Sequence, residues 1–331
     1  MTKQDLKIVF FGTPEFAVTS LDAICRAGYR VVGAVTMPDK PAGRGHRMYQ
    51  SPVKEYAVAH DIPLLQPVRL KDPEFLEKLR TLDADLFVVI AFRMLPEAVW
   101  QMPPLGTFNL HASLLPRYRG AAPINWAVIN GDTETGVTTF FLKHEIDTGD
   151  IISQTRVAIR PDDNVGDVHD RLMEVGAQLT VDTIGHIVAG DLTTVDQSSL
   201  LTDGEEPTPA PKIFKETCRI DWTRPAPAVH NLVRGLSPYP CAWTRLYDTA
   251  NPGRPELSEW KIQQTALCDT LPEHLRDAEP GTVFADGRRI RVMCGDGNAV
   301  EILRLQPSGK RPMSAADYLR GAHLPPQISV N

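Results

Sequence analysis

A chain of 331 residues is long enough for about two domains, and 42% hydrophobic with 23% charged residues leaves ample material for a packed core. A net charge of −6 speaks against indiscriminate nucleic-acid binding, and no apolar run approaches the roughly 18 residues of a membrane span. Five scattered cysteines, none spaced as Cys-x-x-Cys, exclude a disulfide framework and a zinc finger. Reduced thiols and an N-terminus unlike a signal peptide make a cytoplasmic protein the expectation. The charge is uneven: the first 209 residues are acidic and the remainder is mildly basic, which permits a local anionic partner.

Lys7–Phe11 is a short apolar run, and Gly12-Thr13-Pro14 turns the chain into a helix, with Thr13 as expected cap and Pro14 at the first helical position. Val31–Thr36 reads as the next strand. Ser51-Pro52 opens a second helix by the same logic, and Pro73–Leu82 reads as a third. Leu86–Ala91 is continuously apolar, as a strand covered on both faces should be. Thr107–His111, Val137–Phe141 and Ile151–Ala158 read as further strands, and Val165–Ala189 carries a long helical pattern. Strands alternating with helices predict an α/β domain over 1–190 with an open, mostly parallel, Rossmann-like sheet. Such sheets bind ligands beyond the C-terminal ends of their strands, where His111 and Asp147 are expected to lie. Gly12-Thr-Pro-Glu-Phe is not the Gly-x-Gly-x-x-Gly of a dinucleotide binder.

Near Asp191 the texture changes to Pro, Ser, Thr and acid, which predicts a linker over 191–212. Beyond it, Ala242–Tyr247, Lys261–Leu267, Gly281–Phe284, Arg289–Cys294 and Ala299–Leu305 are short strand-like runs broken by Gly, Asp and Pro. They predict a small C-terminal β-barrel over 213–331, of the oligonucleotide-binding (OB-like) type.

Asn109-Leu-His111-Ala-Ser-Leu-Leu-Pro116, followed by Asp147-Thr-Gly-Asp150, carries the chemistry. It supplies an amide, an imidazole and a carboxylate, a set suited to acyl transfer without a metal or a covalent nucleophile. Asn109 and His111, two residues apart on one strand, face the same side. Both can donate to an oxyanion, and donors so placed are each worth roughly 10²–10³ in rate. Asp147 would fix the His111 tautomer if the fold joins them. Taken singly, each residue is weaker evidence: an Asp in Asp-Thr-Gly is also a common turn former.

Phe11-Gly-Thr-Pro-Glu-Phe-Ala17, Pro41-Ala-Gly-Arg-Gly45, His111-Ala-Ser-Leu-Leu-Pro-Arg-Tyr-Arg-Gly-Ala-Ala-Pro123, Ile146-Asp-Thr-Gly-Asp150, Arg219-Ile-Asp-Trp222 and Gln306-Pro-Ser-Gly-Lys310 are spread nearly end to end. On these segments the chain resembles the methionyl-tRNA formyltransferases, a branch of the 10-formyltetrahydrofolate-dependent formyltransferases. The resemblance implies a formyltransferase fold, with Asn109, His111 and Asp147 as the catalytic trio. It also implies that Ser113, Leu114, Leu115 and Pro116 contact the folate, and that the barrel binds initiator Met-tRNA. The implied donor is 10-formyltetrahydrofolate as co-substrate, with no metal and no membrane partner, and the expected state is a monomer. Where many relatives read Ala-Tyr-Gly, this chain has Ala91-Phe92-Arg93 beside the expected pterin slot.

The segment Lys40–Lys54 carries Lys40, Arg44, Arg47 and Lys54 with no acid between them. With the resemblance it reads as a tRNA contact, Lys40, Arg44 and Arg47 being the candidates. Two other readings stand against this one. A formyltransferase acting on a small amine, a sugar nucleotide or purine precursor, would need neither the basic segment nor the barrel. A non-catalytic RNA-binding protein would have no use for Asn109, His111 and Asp147 together.

Overall fold

The structure, a computed structural model, describes residues 2–42, 47–202, 204, 206–251, 253, 255–268, 278–322, 324–325 and 327–330. Backbone contacts divide the chain into two compact units. One gathers Met1–Pro123, Glu134–Ala158 and His169–Ala210; the other gathers Ile124–Thr133, Ile159–Val168 and Pro211–Asn331.

In the first unit the apolar run Lys7–Gly12 forms β1, buried from Ile8 onward. Helix α1 (Glu15–Arg26) follows, but its start departs from the expectation. Pro14 is the cap residue, in extended conformation with no side-chain cap, and the Thr13 hydroxyl is buried without a partner. Pro14 shifts the first helical residue to Glu15, so Thr13 sits one position too early to reach the free N–H groups. Next come β2 (Arg30–Val35) and a two-stranded hairpin of β3 (Lys40–Ala42) and β4 (Arg47–Tyr49). Helix α2 (Pro52–Ala59) is capped as expected, the Ser51 hydroxyl accepting the Lys54 N–H at 3.1 Å. Then follow β5 (Leu64–Leu65), α3 (Pro73–Thr81) capped by Asp72, β6 (Leu86–Ile90), α4 (Glu97–Trp100), β7 (Thr107–His111) and the short β8 (Arg119–Gly120).

After α5 (Pro123–Ile129), strands β9 (Glu134–Phe141) and β10 (Ile151–Ala158) complete a seven-stranded sheet of order β10-β9-β7-β6-β1-β2-β5. β1, β2, β5, β6 and β7 run parallel, while β9 and β10 are antiparallel additions beside β7. Val9, Phe11, Phe75, Phe87 and Val89 pack in a core on one face. Helix α6 (Val165–Ala189) follows. The Pro- and Ser-rich stretch after it is anchored at three points. Val195 bridges Ile151, a 3₁₀ turn (Gln197–Leu200) buries Gln197, and β11 (Pro209–Ala210) pairs with β8. Its backbone groups find partners in the sheet's periphery instead of water.

In the second unit helix α7 (Ala226–Gly235) presents Val229 and Val233 to a core that includes Trp260, Ile262 and Ile302. Strands β12 (Ala242–Asp248), β13 (Glu256–Leu267), β14 (Val283–Ala285), β15 (Ile290–Met293) and β16 (Ala299–Pro307) form an antiparallel sheet. β17 (Met313–Ser314), α8 (Ala315–Gly321) and β18 (Ile328–Val330) finish it, β18 pairing with β12. A bridge from Thr282 to Ser329 brings the two ends of the sheet together, so the barrel is nearly closed. β13 starts five residues earlier than its apolar run suggests, because Glu256 and Glu259 occupy its more exposed positions. Among the described residues no helix is long and apolar enough to cross a membrane. All five cysteines are free thiols, and burial pushes Cys294 up to about 12.

Candidate active site

β7 lies between β6 and β9, with Asn109 opposite Val89 and Phe140, and His111 opposite Thr138. Alternation along the strand puts the Asn109 and His111 side chains on one face. The Asn109 amide takes no partner among the described residues and is half-buried. His111 is 6% exposed, and its Nε2 lies 2.8 Å from the Tyr118 carbonyl oxygen. A carbonyl only accepts, so Nε2 carries the hydrogen and Nδ1 is left bare in the neutral ring. That Nδ1 faces the Asp147 carboxylate, 3.9 Å from Oδ2. The gap is longer than a direct hydrogen bond.

Asp147 arrives by a route the sequence reading did not anticipate. β9 runs antiparallel to β7, with Phe141 opposite Phe108, so the loop after it leaves from the N-terminal end of β7. Asp147 reaches the His111 ring only because residues 142–147 double back, with Asp147 at φ 55° in the left-handed region. Its Oδ2 accepts the Gly120 N–H at 3.0 Å, and its own carbonyl accepts from Gln197. The strand-end rule placed His111 correctly but gave the wrong reason for Asp147.

The turn after His111 is braced by Thr138 and Gln154. The Thr138 hydroxyl donates to the Ser113 carbonyl at 2.6 Å and accepts the Leu115 N–H at 3.2 Å. Gln154 Nε2 donates to the Leu115 carbonyl at 2.8 Å. The Ser113 hydroxyl donates to the Arg117 carbonyl, and Leu115 packs on Phe140 and Ile151, so both side chains point inward. Pro116, joined by a cis peptide bond, is buried too. Leu114 is half-buried and lies over Gly136, where an added Cβ would come within 2.5 Å of its Cδ2. What this turn can offer a flat ring is therefore Leu114 and backbone.

Arg93 is tied down elsewhere. Its guanidinium donates to the Pro67 and Val68 carbonyls and stacks over Phe92 at 5.6 Å. Those two carbonyl residues belong to the rim of a cavity of about 280 Å³ around Leu65, Arg69 and Phe75, which includes none of the trio.

Of the basic segment, Lys40 is exposed on β3, Arg47 pairs by its backbone with Ala42, and Arg44 lies outside the described residues. Lys54 leaves the set: its ammonium contacts Asp39 at 2.5 Å, with both side chains largely buried. Asp39 sits just before the stretch counted as free of acid. Hydrogen bonds from Lys54 and then Gln66 hold the Asp39 carboxyl below its usual range.

Sequence reasoning missed Arg119, Thr138, Gln154 and Gln197. Arg119 lay inside the motif that begins at His111 and Thr138 inside the family-like run Thr135-Gly-Val-Thr-Thr139, while Gln154 and Gln197 carried no local signal. Burial pushes the Arg119 guanidinium down, and the charges of Asp147 and Glu145 oppose that shift.

The family model described as formyl transferase matches residues 6–184, and that described as formyl transferase, C-terminal domain, matches 212–323. A methionyl-tRNA formyltransferase of Bacteroides fragilis is 54% identical over 325 residues, covering 98% of this chain and 97% of its own. That of Bacteroides thetaiotaomicron is 52% identical over 332 residues, covering 100% of both. Among solved structures, WlaRD, a sugar 3N-formyl transferase crystallised with dTDP and 5-N-formyl-THF, superposes with a TM-score of 0.65 at 18% identity, over 92% of this chain and 99% of that one. At that identity the likeness speaks for the fold.

Proposed function

This chain belongs to the formyl transferase family, and on that premise we propose that it moves a formyl group from 10-formyltetrahydrofolate to the α-amino group of methionine on initiator tRNA. End-to-end identity of about half with methionyl-tRNA formyltransferases supports the acceptor. The observation that carries the chemistry is the His111 Nδ1 facing Asp147 beside an Asn109 amide with no partner among the described residues.

The amine attacks the formyl carbon, and the Asn109 amide donates to the oxygen as it gains charge. His111 Nδ1 takes a proton from the attacking nitrogen, since Nε2 is held by the Tyr118 carbonyl. Asp147 stabilises the imidazolium that results. When the bond to folate N10 breaks, the same Nδ1 returns the proton to N10, so the ring ends as it began. A slot for the pterin is supported by Leu114 seated over Gly136, edged by the backbone of the Ala112–Pro116 turn where Thr138, Gln154 and Arg117 do not already engage it.

The decisive assay supplies 10-formyltetrahydrofolate with Met-tRNA, and in parallel with free methionine and amino-sugar nucleotides. Formylation of Met-tRNA alone is expected. Formylation of the small acceptors alone would overturn the assignment.

The β3–β4 hairpin is the proposed contact to the acceptor end of tRNA, through Lys40, Arg44 and Arg47. Arg44→Ala and Lys40→Ala are expected to raise KM for Met-tRNA severalfold and to flatten its salt dependence, with KM for the folate unchanged. Unaltered tRNA kinetics in both variants would remove this role.

A further inference from the structure

Gln197 is 1% exposed and lies 50 residues beyond Asp147 in the chain. A primary amide has two hydrogens to give and two lone pairs to offer, and here all four are used. Nε2 donates to the Asp147 and Gly149 carbonyls at 2.9 and 2.8 Å. Oε1 accepts from Nε and Nη2 of Arg119 at 3.0 and 2.7 Å. The two ends of the amide are not interchangeable, because a flipped amide or a carboxylate would turn an acceptor toward two carbonyl oxygens. Arg119 is thereby fixed along one edge of its guanidinium, close enough to Asp147 to feel its charge.

We propose that Gln197 is a positioning residue for formyl transfer: it holds the Asp147 backbone in its left-handed turn and carries Arg119 beside the Asp147 carboxylate. The inference rests on the reading of Asp147 given above. Asp147 is held from both sides: its carbonyl by Gln197, its Oδ2 by the N–H of Gly120, the residue after Arg119. The charged and titratable groups that act on this pair are His111 from β7, facing Asp147, and Glu145 from the Asp147 loop, whose charge Arg119 of β8 feels together with that of Asp147. Loss of the Gln197 amide leaves two carbonyls and a part-buried guanidinium without their partner at once.

The test uses the full chain with Met-tRNA and 10-formyltetrahydrofolate, and the variants Gln197→Met, Gln197→Glu, Arg119→Met and the double Gln197→Met/Arg119→Met. Gln197→Met is expected to lower kcat by about 10–100-fold, the scale on which an ångström of misplacement acts, with KM for both substrates within about twofold of wild type. Gln197→Glu is expected to lose as much, despite its matching shape. In Gln197→Met and Arg119→Met alike, the acid limb of the kcat–pH profile should move to higher pH, a readout that simple loosening of the fold would not move. The double variant should be no slower than the slower single, since both act through one network.

A folded Gln197→Met with wild-type kcat and pH profile overturns the proposal, and so does a double variant whose loss is the product of the singles. Should Gln197→Met not fold, Arg119→Met decides: an unmoved acid limb overturns the proposal as well. Asp147→Asn run alongside separates the two levels. If it is inactive while Gln197→Met is normal, only the positioning role fails; if it is itself normal, the reading of Asp147 fails first.

Discussion

His111→Ala is expected to slow formylation in a single turnover by about 10²–10⁴-fold, the range of a lost general base. Asn109→Ala should cost about 10²–10³-fold, as for a missing oxyanion donor. Both variants should stay folded. Removing the ring costs one hydrogen bond, that to the Tyr118 carbonyl, about 1 kcal/mol, and the Asn109 amide has no partner among the described residues to forfeit. Asp147→Asn should lower the rate and distort the pH–rate profile, because the carboxylate no longer balances the imidazolium. Rapid-quench measurement of formyl-Met-tRNA, with thermal melting as the control for folding, decides the matter. Near-normal rates in all three variants would dissolve the trio.

Gly149→Ala should be the most damaging small substitution in the loop. A Cβ there would sit 1.6 Å from the Phe141 carbonyl oxygen and 2.8 Å from its carbon. Those are backbone atoms at the start of the β9–β10 ladder, where the Phe141 N–H bonds the Asp150 carbonyl and Phe140 opposes Ile151. They cannot swing aside as a side-chain tip can. The loop must move instead, and Asp147 moves with it. We expect a loss of about 2–3 kcal/mol, at the upper end of overpacking, and roughly a hundredfold lower kcat where the protein is still folded. Gly190→Ala is the control: φ is +71° but nothing lies within 4 Å, so about 1 kcal/mol is lost and the rate holds. Urea midpoints and turnover on the same samples test both, and equal behaviour of the two variants would count against the loop geometry.

Much of the N-terminal sheet was readable because parallel strands buried on both faces leave continuous apolar runs, as in Leu86–Ile90. Asn109 and His111 stood out by their two-residue spacing on one strand and, above all, by the motif the chain shares with the formyltransferases. The direction of β9 was not: an apolar strand carries no mark of whether its neighbour runs with it or against it, and on that direction hangs the path of Asp147. The Lys54–Asp39 pair escaped notice because charge was counted along the chain, whereas pairing is settled in space. Ser113 and Leu115 looked like ligand contacts by their motif, yet Thr138 and Gln154, on the neighbouring strands β9 and β10, draw the turn inward. Gln197 shows the limit most plainly. One glutamine in a polar stretch has no periodicity to betray burial, and its four hydrogen bonds reach three residues 48 to 78 positions away.

The seam of the C-terminal barrel has a bearing on how that unit can associate. β18 is flanked by β12 on one side and tied at Ser329 to Thr282 on the other. Among the described residues the sheet therefore offers no long open flank onto which a foreign strand could zip. Main-chain augmentation, one way a β-domain captures a peptide or a second copy of itself, finds no such flank among them. Selectivity carried by side chains on the outer wall is then free to change by substitution without disturbing the hoop beneath.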